Sequence, residues 1–70
     1  MRAPAEWLTT REGEILRLLA QGLTNPQIAA QLAIMPSTVH GYLKSIYRKL
    51  GASTRSQAVT QARQLGLLDG

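Results

Sequence analysis

His40, Lys44 and Arg48 follow one another at four-residue intervals, the spacing that brings side chains onto one face of a helix. Two permanent cations and an imidazole in such a row suit the holding of an anion rather than the making or breaking of bonds. A solvated helix face normally mixes signs, because a glutamate supports a lysine four residues on, yet no acid accompanies this row. The four acids of the chain are Glu6, Glu12, Glu14 and Asp69, so the stretch from Ile15 to Leu68 holds none, while Arg17, Lys44, Arg48, Lys49, Arg55 and Arg63 lie inside it. A net charge of +4 over 70 residues is modest. Its distribution is what points to a polyanionic partner.

Other chemistries lack their residues. There is no cysteine, and a single histidine cannot supply the roughly four ligands of a zinc site, so no metal and no cofactor is expected. No paired carboxylates face a cleft and no nucleophile has a base in reach, which argues against an enzyme. Single-stranded nucleic acid is gripped by stacked aromatics, and this chain has one tryptophan, two tyrosines and no phenylalanine. No apolar run nears the roughly 20 residues of a membrane span and no signal pattern opens the chain, so the expectation is a cytoplasmic protein with no membrane partner.

Four short helices must position the cationic row. Residues 1–7, with Pro4 and no periodicity, read as a lead-in or linker remnant, with Trp7 packing under helix one or four, and residues 8–70 as one domain. Thr9 and Glu12 have capping-box spacing ahead of the apolar stripe Ile15, Leu16, Leu18 and Leu19, and Gly22 offers a stop. Glu12 thus serves its own helix, with an arginine as a candidate partner. Helix two has Thr24 or Asn25 as cap, Pro26 in its first turn, and Ile28, Ala29 and Leu32 as its apolar side. Helix three runs from about Pro36 to Leu50 with Gly51 as its stop. Helix four opens at Thr54 and Gln57, again at capping-box spacing, and buries Ala58, Val59, Ala62 and Leu65, after which Leu67 and Leu68 fold back on the core. The fold class is all-α.

On helix three, at roughly 100° per residue, Val39, Leu43, Ile46 and Leu50 fall within about 60° of each other and must be buried. The opposite side is then set: Ser37, His40, Gly41, Lys44 and Arg48, with Thr38, Ser45 and Lys49 toward one edge and Tyr42 and Tyr47 flanking the core seam. Only about three residues separate helix two from Pro36. Two helices joined by so short a turn, the second long and cationic on its free side, form a helix-turn-helix. Small Ala29 and Ala33 and apolar Val39 fit its internal spacing, although the glycine often found in the turn is absent.

From Leu8 to Leu68 the chain resembles the LuxR-type (GerE-type) helix-turn-helix domain. The matching stretches are "LTTRE", "GLTNPQIA", "STV" and "IYRKLG", followed by "R" and "AV" in helix four. The resemblance implies the output domain of a bacterial transcription regulator that binds double-stranded DNA, with the recognition helix in the major groove. In such domains bases are read chiefly from positions that fall on His40, Gly41 and Lys44. Phosphates are met from Thr24 and Asn25, from Ser37 and Thr38, and from the basic end at Arg48 and Lys49. Helix four commonly supplies a dimer contact, here its outward Ser56, Thr60 and Arg63, and a weak homodimer on DNA is expected. The chain departs from the pattern at His40, where lysine is usual, at Tyr42 for histidine, at Met35 for a capping serine or threonine, and at Gln27 for glutamate. The competing reading is a protein-interaction module that uses the same helices against a partner such as RNA polymerase.

Overall fold

The computed structural model describes residues 8–68. The lead-in at 1–7, Trp7 included, lies outside them. The element order is α1 (Thr10–Ala20), α2 (Asn25–Leu32), α3 (Pro36–Leu50) and α4 (Arg55–Gln64), with no strand among the described residues.

Each start is written locally. Thr9 accepts from the Glu12 amide and the Glu12 carboxylate accepts from the Thr9 amide, both at 3.0 Å, a complete capping box. Thr24 is the cap of α2 and exchanges the same pair of bonds with Gln27, whose amide oxygen substitutes for a carboxylate at 2.8 Å. At α4 the box is only half formed. Thr54 accepts from the Gln57 amide, but the Gln57 side chain turns to the Ser53 amide at 2.7 Å.

Helix α3 packs against α1, α2 and α4, and its seam of Val39, Leu43, Ile46 and Leu50 is buried throughout. Around it lie Ile15, Leu16 and Leu19 of α1, Ile28 and Ala29 of α2, and Ala58 and Ala62 of α4. Val39 and Ile46 are fully enclosed. The fourth apolar residue assigned to α4 behaves differently: Leu65 is 40% exposed. The helix ends at Gln64, and Gly66 at φ 76° turns the chain back so that Leu67 donates to the Ala62 carbonyl at 2.8 Å. Leu67 and Leu68 then pack against the core, whereas Leu65 does not.

The α2–α3 turn is built without glycine. Ala33 takes the left-handed conformation, φ 57° and ψ 43°, and the Ile34 amide closes on the Ala29 carbonyl at 3.0 Å. A residue with a Cβ pays about 1–2 kcal/mol for that conformation. Met35, 66% exposed, occupies the N-cap of α3 and offers no side-chain bond to it.

One polar tie crosses the core edge. Glu12 is 4% exposed, and both its carboxylate oxygens are engaged: Oε1 accepts from Lys49 Nζ at 2.8 Å and Oε2 from Ser45 Oγ at 2.8 Å, in addition to the Thr9 amide. Its partner is thus a lysine of α3 rather than an arginine, because the flank carrying Ser45 and Lys49 is the one turned to the start of α1. Burial alone would raise the Glu12 pKa, but the bonds from Lys49, the Thr9 amide and Ser45 outweigh it and hold the carboxyl below its usual 4.5.

Two measurements test these assignments. Glu12→Gln should lose about 2–3 kcal/mol by urea unfolding at pH 7, because Lys49 and Ser45 lose a charged acceptor. Since the folded carboxyl has the lowered pKa, its contribution is complete above about 4.5 and is lost as pH falls through the folded value. The gap between native and variant should therefore narrow on acidification; a constant gap would contradict the ion pair. At the turn, Ala33→Gly should gain about 0.5–1 kcal/mol by relieving the left-handed alanine, less than the full strain because glycine also loosens the unfolded chain. Met35→Ser should gain about 1 kcal/mol by restoring a cap. Unchanged urea midpoints would refute both.

Candidate nucleic-acid interface

The burial of one α3 seam decides what the other side offers. Ser37, Thr38, His40, Gly41, Lys44 and Arg48 are all exposed, on a helix 15 residues long. No carboxylate stands among them. The nearest buried acid, Glu12, is bound to Lys49, so its charge is compensated before it can oppose an anion on the free face. Tyr42 and Tyr47 are half-buried and pack against the core rather than standing clear as stacking platforms.

The structure separates two basic residues that adjoin in sequence. Arg48 is exposed, whereas the Lys49 side chain is 29% exposed and engaged with Glu12. Both lie in the last turn of α3, where a cation also suits the negative end of the helix dipole. The Leu50 carbonyl at that end accepts from Gln61 Nε2 at 3.2 Å, and Arg55 reaches across to the Leu23 carbonyl, so α4 braces both α3 and the α1–α2 connection. Arg55 is consequently half-buried.

Thr24 and Asn25 sit at the start of α2, the first as the cap and the second as the first helical residue. Free amides and the dipole make such a terminus favourable to anions. Ser56, Thr60 and Arg63 are exposed on α4, a different element, and Ser56 and Thr60 line an open hollow of about 350 Å³ with Gly51, Gln57 and Gln61.

Gly41 is unusual in this setting. It lies within the helix with an ordinary right-handed backbone, and a Cβ placed on it would meet nothing within 4 Å beyond its chain neighbours and the backbone of its own helix. A mid-helix glycine costs about 0.5–1 kcal/mol relative to alanine, and nothing in the packing requires it.

The Glu12 tie and the Arg55 brace were beyond sequence reasoning. Glu12 is 33 and 37 residues from Ser45 and Lys49, and no local spacing connects them.

Comparison with known proteins agrees with this geometry. The family model described as bacterial regulatory proteins, luxR family, matches residues 6–62. The probable transcriptional regulatory protein SgaR of Hyphomicrobium methylovorum is 54% identical over 80% of this chain and 26% of its own length. Among solved structures, the response regulator ChrA of a heme-sensing two-component system superposes with a TM-score of 0.85 at 51% identity, over 87% of this chain and 30% of that one. The transcription factor GerE superposes at 0.84 and 38% identity over 97% of both chains. The chain spans between 6% and 29% of the length of the curated relatives it matches. A helix-turn-helix with a free cationic second helix, matched by this family model over most of its residues, places the chain in the luxR family of bacterial regulatory proteins.

Proposed function

We propose that residues 8–70 form the sequence-specific, double-stranded DNA-binding output domain of a transcription regulator, with residues 1–7 as its lead-in and α3 in the major groove. The observation that carries this reading is the free face of α3, exposed, cationic and without a carboxylate. A groove about 12 Å wide admits one helix, and α3 packs one face on α1, α2 and α4 while the other stays exposed. His40, Gly41 and Lys44 read bases. Thr24, Asn25, Ser37, Thr38 and Arg48 meet phosphates, and Lys49, its charge balanced by Glu12, adds at most a hydrogen bond to a phosphate at the edge of that face. This family is not one of enzymes.

Two protomers pair on DNA through Ser56, Thr60 and Arg63, a face too polar to hold a dimer unaided. RNA polymerase is a further partner of a regulator bound upstream of a gene, and a protein that works on chromosomal DNA acts in the cytoplasm. No helix of the described residues is long and apolar enough to cross a membrane.

Titration of the chain against duplex selected from a random pool tests the reading. With roughly four phosphates neutralised, log affinity should fall against log salt with a slope of about −3 to −5 per protomer. A slope near zero sinks it. Lys44→Ala should weaken the selected duplex by about 1–3 kcal/mol and change the preferred sequence. Lys49→Ala should instead lower fold stability and leave the preferred sequence alone; identical losses for both would demote Lys44 to a phosphate contact. Sedimentation should show a monomer without DNA and pairing on half-sites about 10 base pairs apart, and a stable dimer without DNA would contradict the weak α4 contact.

A further inference from the structure

The peptide group between Leu23 and Thr24 is held at both ends. Its carbonyl oxygen accepts from the Arg55 guanidinium of α4, 32 residues away in sequence. Its N–H, carried by Thr24, donates to Gln27 Oε1 at 2.8 Å. Thr24 is the cap of α2, so a bond from α4 acts on the group that opens that helix. The chain arriving at this point constrains it less: Gly22 turns at φ 93°, and the Leu23 amide reaches the Leu18 carbonyl at 3.3 Å.

A cation is an unexpected choice for this bond. Arg55 is half-buried, and among the described residues no carboxylate pairs with it. A charge taken partly out of water is normally matched by an opposite one. Elsewhere α4 does the same work with a neutral group, Gln61, which donates to the Leu50 carbonyl at 3.2 Å. The first turn of α2 also holds no acid, whereas that of α1 holds Glu12. An uncompensated guanidinium therefore adjoins a helix start whose free amides and dipole already favour anions.

We infer that Arg55 is a positioning residue for the phosphate contact at the start of α2, setting the Leu23–Thr24 peptide so that Thr24 and Asn25 present their donors to the duplex. This rests on the DNA-binding reading above and adds that an α4 side chain governs one of its phosphate contacts. The Thr24 hydroxyl accepts from the Gln27 amide at 3.3 Å and keeps its own proton to donate. Rotation of the Leu23–Thr24 peptide would turn that hydroxyl and the first amides of α2 together. Arg55 restrains the rotation from the carbonyl side, and its charge adds to the field at the same point.

The experiment is a double-mutant cycle of Asn25→Ala and Arg55→Met, at a temperature where circular dichroism shows every variant folded. Affinity is read on two duplexes, one selected by the native chain and one of scrambled sequence. Asn25 is used because Thr24 also carries the cap. Each single variant should bind about three- to tenfold more weakly. The factor should be the same on both duplexes, since a phosphate contact carries no sequence information. The double variant should fall within about twofold of Arg55→Met alone, because a contact already misplaced cannot be lost again. Arg55→Gln, too short for the Leu23 carbonyl but still hydrated, serves the same cycle where Arg55→Met melts too low. Losses that multiply in the double variant overturn the inference, since Arg55 would then act independently of α2. A folded Arg55 variant that binds as tightly as the native chain overturns it too, because Arg55 would then brace the fold alone. Asn25→Ala without effect overturns it and leaves the α3 reading intact. A native chain that binds neither duplex overturns both readings together.

Discussion

The carboxylate of Glu12 is the interaction on which the presentation of α3 depends. It is buried at the start of α1, where the Thr9 amide binds it as part of a helix cap, and the same two oxygens take Ser45 and Lys49 from α3. A buried ion pair adds little net stability compared with a well-packed apolar pair, but breaking one leaves a charge without compensation. Its value here is directional. Apolar packing tolerates small rotations of a helix about its axis, whereas two directed bonds from α3 to a carboxylate itself fixed by the α1 cap resist them. With Ser45 and Lys49 locked toward α1, the rotation of α3 is set and so is the row that faces away.

That single constraint shapes the electrostatics of the free face as well. Lys49 is withdrawn from the row, and Glu12 is neutralised where it would otherwise project a negative field close to Ser45. What remains outward is Lys44 and Arg48 at one end, Ser37, His40 and Gly41 at the other. Charge and bulk are therefore both graded along the helix. Long cations suit phosphates, which can be reached from many angles, and small groups suit base edges, which can be reached from few.

Stability is surrendered close to this face. Ala33 is held left-handed, Met35 leaves the α3 start without a side-chain cap, and Gly41 weakens the middle of the helix. The first has a geometric origin: the chain must reverse between α2 and α3 within a few residues, so Ala33 supplies a turn conformation that alanine does not favour. The packed seam of α3 and the Glu12 tie offset these costs from the other side of the same helix, leaving the outward side comparatively unconstrained by folding.

The helix starts, the α3 seam and the face opposite it were legible in the amino-acid sequence because each depends on residues within a turn or two. Thr9 with Glu12, a cap at Thr24 or Asn25 ahead of Pro26, Pro36 at the start of α3 and Gly51 at its end act on backbone groups a few positions away, and burial of Val39, Leu43, Ile46 and Leu50 follows from helical periodicity alone. The family resemblance of the helix-turn-helix was legible for the same reason, being carried by contiguous stretches. Tertiary structure alone decided which charge neutralises Glu12, that Lys49 is drawn aside while Arg48 is not, that Arg55 braces the Leu23 carbonyl, and that Leu65 is exposed while Leu67 and Leu68 pack on the core. These pairings join residues on different helices, or depend on where a helix stops against the core. They are settled by the relative rotation and length of packed elements, and a one-dimensional pattern carries no record of either.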